Sequence, residues 1–135
     1  MPLVVDASVI LPLALSDEDA AYAICVLHRL QTDPHGLVPP IFLDELQNVL
    51  LYAERDGRIE QSVSELFVRR VLEDLPLVMH PIADRFVVMQ IARDHNLTFY
   101  DASYLSLALA SKADMATHDK KLIAAAKAVG VVLLQ

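Results

Sequence analysis

The chain has 135 residues, 55% of them hydrophobic, a formal net charge of -7 and a single cysteine. That length suits one domain over residues 1–135 with a core of its own, and one cysteine excludes an internal disulfide. No apolar run approaches the roughly 18 residues of a membrane helix, and the acidic balance argues against gripping nucleic acid by bulk charge.

In chain order, Leu3 to Val5 read as a buried strand, followed by a short helical segment bent at Pro12. No basic segment precedes this first apolar run and Asp6 interrupts it, so the secretory pattern is absent and a cytoplasmic protein without a membrane partner is expected. Ser16 with Asp17, Glu18 and Asp19 makes an acidic helix start for Ala20 to Gln31, in which Cys25 takes the place of a small hydrophobe. After a turn at Asp33 to Gly36, Leu37 and Val38 form a brief strand ended by Pro39 and Pro40. Ile41 to Asp56 reads as a helix stopped at Gly57, and Gln61 to Asp74 as another. Leu77 to His80 predicts a strand, Ala83 to His95 a helix ending at Asn96, and Leu97 to Tyr100 a short extended segment into Asp101. Helix resumes to Lys112, Asp114 to Thr117 is a strand, Asp119 to Val129 a helix, and Val131 to Leu134 a final strand. Short apolar strands alternating with helices predict an α/β fold whose parallel sheet is covered on both faces.

In such sheets ligands bind beyond the carboxyl ends of the strands, and the acids fall there. The tripeptide Asp-Ala-Ser occurs twice, beginning at Asp6 and at Asp101, each time where a strand or extended segment meets a helix. Asp119 closes the strand ending in Thr117 and His118. On the helix from Ile41, the residues Phe42, Leu46, Val49, Leu50 and Ala53 form an apolar stripe. At about 100° per residue, Glu45 lies at the edge of that stripe and Asp44 points away from it. Each aspartate alone is explained by helix capping. Together with an inward glutamate they would crowd four negative charges and raise their own pKa values unless a cation sits among them, and an oxygen-loving ion such as Mg²⁺ or Mn²⁺ suits the set. Ser8 and Thr117 add hydroxyls that either bond within turns or orient a carboxylate.

The stretches V-V-D-A-S, P-I-F-L-D-E-L-Q-N-V-L, L-T-F-Y-D-A-S-Y-L-S-L-A-L-A and A-T-H-D-K-K-L, in this order, resemble the PIN-domain ribonucleases, specifically the VapC-type toxins of toxin-antitoxin pairs. The resemblance extends over essentially the whole chain. It implies a three-layer α/β/α fold with a central parallel sheet and a Mg²⁺- or Mn²⁺-dependent endoribonuclease acting on RNA. It also implies a homodimer held inactive by a cognate antitoxin protein. Asp6, Glu45, Asp101 and Asp119 match the family's acidic quartet, and Ser8 and Thr117 its hydroxyl positions. Asp6 and Asp101 are then the first choice as direct metal ligands, Asp119 ligates directly or through water, and Glu45 binds a second ion or positions a water. Arg55, Arg58, Arg93, Lys120 and Lys121 could meet phosphates, although isolated basic residues on helices are usually solvated surface.

Other chemistries are less well served. The five histidines show neither H-E-x-x-H nor a cysteine partner for zinc, and His118, beside Asp119, is the one that adjoins the acids. Three glycines build no phosphate-binding loop. A phosphotransferase of the haloacid dehalogenase type would carry an aspartate where Ser8 stands. The rival from another class is a non-catalytic interaction domain. There the acids serve only as caps, and apolar helix faces such as Phe67, Val68, Val71 and Leu72, or Ala20 to Leu30, dock a partner.

Overall fold

The computed structural model describes all 135 residues. Four strands, β1 (Leu3–Val5), β2 (Gly36–Val38), β3 (Leu77–Met79) and β4 (Asp114–Ala116), form one wholly parallel sheet in the order β3-β2-β1-β4. Seven helices connect them: α1 (Ala7–Ile10), α2 (Ala21–Thr32), α3 (Ile41–Arg55), α4 (Gln61–Asp74), α5 (Arg85–His95), α6 (Phe99–Ser111) and α7 (Lys120–Ala128), with a 3₁₀ turn at Leu11–Leu13. With the right-handed crossovers that parallel sheets follow, this strand order puts α1 to α4 on one face and α5 to α7 on the other. The helix contacts follow that division: α1 touches α2 and α3, α3 touches α4, and α6 packs on both α5 and α7. The result is the three-layer α/β/α architecture expected from the pattern. No helix is long and apolar enough to cross a membrane.

The central strand β1 is apolar throughout because both its faces are covered, and Leu3, Val4 and Val5 are fully buried. Around it pack Phe42, Leu46 and Leu50 of α3, Tyr104, Leu105 and Ala108 of α6, and Leu122 of α7. The chain leaves β1 toward β2 on one side and returns to β4 on the other, so the switch of direction falls between β1 and β4. Their carboxyl ends are tied by the Asp6 N–H donating to the Ala116 carbonyl at 3.0 Å.

Several expectations need correction. The stretch from Leu97 is not extended as far as Tyr100: Thr98 caps α6, its hydroxyl accepting from the Asp101 N–H at 3.0 Å, and the helix begins at Phe99. Val131 to Leu134 is not a full strand but a single bridge between Leu133 and Met115. The helix placed from Ala20 starts at Ala21, whose N–H donates to Asp19. The helix placed from Ala83 starts at Arg85, because the Asp84 carboxylate caps it by accepting from Phe86 and Val87 N–H. As a strand at the sheet edge, β3 leaves Val78 and Met79 exposed rather than buried. Val49 is 38% exposed and Cys25 is exposed too, so neither joins the core. Within α4, Val71 is buried, Phe67 and Val68 are half-buried, and Leu72 is exposed.

Candidate active site

Asp6 follows β1 directly and is 4% exposed. It stands at the N-cap position of α1, yet its carboxylate caps nothing. Its Oδ2 instead accepts two hydroxyls, Ser8 Oγ at 2.8 Å and Thr117 Oγ1 at 2.7 Å. Those hydroxyls in turn accept from the loop after β4: Thr117 Oγ1 from the Asp119 N–H at 3.0 Å and Ser8 Oγ from the His118 N–H at 3.4 Å. Both hydroxyls converge on one oxygen, so the carboxylate is oriented and its Oδ1 is left for another partner. This polar cluster is the reason a buried aspartate is tolerated between two core strands.

The other acids arrive from three helices. Asp101 is the third residue of α6, where the Thr98 cap and the helix N-terminus favour a carboxylate. Asp119 is the N-cap of α7 and accepts from the Leu122 N–H at 2.8 Å. Glu45, on the second turn of α3, is half-buried, whereas Asp44 faces water. Asp6, Glu45, Asp101 and Asp119 together line one pocket of about 330 Å³, with Ala7, Ser8, Leu11, Val49 and His118 completing its wall. The structure thus brings all four sequence-selected acids to one edge of the sheet. They ring a space rather than pinch it, for no three acid, histidine or cysteine side chains close on a common point at ligand distance.

The family model for the PIN domain matches residues 3–128. The chain belongs to the PIN-domain family. Among relatives, the protein called exonuclease VapC9 of Pyrobaculum aerophilum is 32% identical over 83 residues, 62% of this chain and 61% of that protein. Ribonuclease VapC1 of Mycobacterium tuberculosis is 34% identical over 77 residues, 55% of this chain and 58% of that one. The chain therefore spans less than two thirds of the length of either relative. The crystal structure of PAE2754 from Pyrobaculum aerophilum matches with a TM-score of 0.76 at 24% identity, covering 98% of this chain and 83% of that one, a likeness of fold.

Within the PIN domain, the charges report on each other. Burial pushes the Glu45 carboxyl above the usual range, and the charges of Asp6 and Asp101 push it the same way, against the Tyr104 hydroxyl that lowers it. Burial likewise raises Asp101, assisted by Asp119 and Asp6 and opposed by Thr98 and Lys121. Two of the four acids thus resist ionisation because the site is partly dry and, in addition, like charges surround them. All the acidic donors are carboxylate oxygens, the chemistry that suits a hard divalent cation.

Tyr104 also reaches the acid site, though no motif in the sequence singles it out. It is fully buried on α6, and its hydroxyl donates to Glu45 Oε1 at 2.7 Å. Burial and the neighbouring Asp6 and Glu45 charges raise its pKa, so it remains a donor. A signal was available: Tyr104 lies three residues beyond Asp101 on the same helix, hence on the same face, and a buried tyrosine requires a partner for its hydroxyl. Of the basic residues, Arg58 is occupied elsewhere, bound to Asp17 at 2.8 Å and Glu18 at 2.6 Å. Arg55 lies over the Tyr52 ring, and Lys121 is the cation whose charge reaches Asp101.

Proposed function

We propose that this PIN domain is a divalent-metal-dependent endoribonuclease and the toxin of a toxin-antitoxin pair. The observation that carries the reading is the single pocket in which Asp6, Glu45, Asp101 and Asp119 meet, two of them with raised pKa. Relatives named ribonuclease and exonuclease support nuclease chemistry. A purely structural role is less well supported for Asp6, whose carboxylate caps no helix, than for Asp119, which caps α7.

In this reading Asp6 and Asp101 hold a Mg²⁺ or Mn²⁺ ion, with Asp119 at its side either directly or through water. When bound, such an ion supplies charge relief to the scissile phosphate and a more acidic water. Ser8 and Thr117 occupy one oxygen of the Asp6 carboxylate, which leaves the other for the ion. Glu45, held from behind by Tyr104, is placed to accept a proton from the attacking water or to hold a second ion. Setting these four acids aside leaves 14 acidic against 11 basic residues, so the rest of the surface repels RNA only mildly. Phe86, Val87 and Met89 on α5 are exposed, and apolar surface of this kind supports a protein partner, a second copy of the chain or the antitoxin.

The test uses a linear and a circular single-stranded RNA with Mg²⁺ or Mn²⁺. The wild type opens the circle, which an exonuclease cannot do, and Asp101→Asn abolishes cleavage while keeping the wild-type fold by circular dichroism. Full activity in Asp101→Asn overturns the site. Expression of the chain alone arrests growth, and normal growth with abundant soluble protein overturns the toxin role.

A further inference from the structure

His118 stands between two pockets. It lines the acid pocket and also a neighbouring pocket of about 450 Å³ that Tyr22, Thr117, Ile123, Lys127, Leu133, Leu134 and Gln135 wall with it. Its imidazole is exposed and rests against the Tyr22 ring, with centroids 5.0 Å apart and planes tilted by 59°. Tyr22 is itself pinned, its hydroxyl donating to the Leu134 carbonyl at 2.6 Å. The His118 backbone is held by the Ser8 hydroxyl. The aromatic pair is therefore oriented before any ligand arrives, which lowers the ordering cost of binding.

The second pocket differs from the first in charge. Lys127 lines it and no acidic side chain does. In a chain of net charge -7, a partly apolar space that holds a lysine and no aspartate or glutamate, and shares His118 with the acid pocket, repels a polyanion less than the four carboxylates do. Its aromatic wall offers a stacking surface to what single-stranded RNA presents once unstacked, a base with two π faces.

We propose that this pocket is a nucleobase subsite. A base of single-stranded RNA next to the cleaved phosphodiester stacks on the His118 ring, braced by Tyr22, and Lys127 meets the adjoining phosphate. The subsite rests on the nuclease reading of the acid pocket, and it makes His118 a specificity-determining residue rather than a catalytic one.

The experiment compares wild type, His118→Ala and His118→Phe on a set of short single-stranded RNAs. Each carries an abasic site at a different position around the cleaved bond. Binding is measured by fluorescence anisotropy without divalent metal, and cleavage with Mn²⁺. Removal of one stacking ring is expected to weaken binding and kcat/KM about tenfold on intact RNA. His118→Phe restores most of the loss. For one abasic position the wild type and His118→Ala become equal. A loss in His118→Ala that is the same on every RNA, abasic ones included, overturns the subsite. RNA binding that depends on His118 and on one base, without cleavage under any metal, overturns the nuclease reading and leaves the subsite standing.

Discussion

Tyr104 and Glu45 are 59 residues apart in the chain, and their hydrogen bond is a small device with a large lever. A glutamate on the second turn of a surface helix gains rotamer freedom and hydration by turning outward, and the buried hydroxyl at 2.7 Å opposes that. Tyr104→Phe keeps the ring and removes the donor. It should cost about 1 kcal/mol in chemical denaturation and lower cleavage about tenfold, an order set by one lost hydrogen bond. Because the hydroxyl acts through Glu45, the activity loss should vanish in a Glu45→Gln background, which a double-mutant cycle reads directly. The charge crowding has its own consequence. A carboxyl whose pKa is raised on folding binds its proton more tightly folded than unfolded. Its contribution therefore favours the fold below its unfolded pKa and is lost as pH rises through the folded one. For Glu45 and Asp101 that window opens upward from the usual carboxylate range. At neutral pH without metal, Asp101→Asn should therefore melt above the wild type, and the gap should close on acidification, as thermal unfolding across pH will show.

Caps and close approaches set the elements that carry these residues. Thr98→Ala removes the hydroxyl that accepts from the Asp101 N–H and should cost about 1 kcal/mol. Asp84→Ala removes the corresponding cap from α5 at a similar cost. Only the first disturbs the turn that presents an acid, so cleavage should fall in Thr98→Ala and hold in Asp84→Ala at matched stability. Gly36 is required for another reason. A Cβ there would lie 2.5 Å from Leu77 Cδ2 and 2.7 Å from the Pro76 carbonyl oxygen, where β2 meets β3. Gly36→Ala should destabilise by about 1–3 kcal/mol as the strands part, measured by urea titration. Of these features, Asp119 as a cap was legible from a polar residue between a strand and a helix. Thr98 was overlooked because Leu97 to Tyr100, with two aromatics, matches a strand as well as a first helical turn. Burial of Leu97 beside an accepting threonine decides between them.

At the scale of the molecule, the parallel sheet gathers what the chain scatters. Asp6 follows β1 and Asp119 follows β4, adjacent strands flanking the point where the chain reverses direction across the sheet. A cation bound there is linked to folding, because it prefers the assembled cluster to the unfolded chain. Saturating Mn²⁺ should raise the melting temperature of the wild type, and raise that of Asp101→Asn little, in a differential scanning experiment. The sequence by itself determined the elements and the facing of single residues. Apolar runs of three or four residues made strands buried on both sides, and the 100° helical turn sent Glu45 inward and Asp44 to water. Those outcomes depend on neighbours a few positions away. Only the tertiary structure decided the contacts that tie the acids into one site, Thr117 with Asp6 and Tyr104 with Glu45, and the pairing of His118 with Tyr22 beside them. It also reduced the last strand to one bridge and left β3 at an exposed edge. Such pairings join residues far apart in the chain, and the order of strands in the sheet, which no local pattern encodes, brings them together.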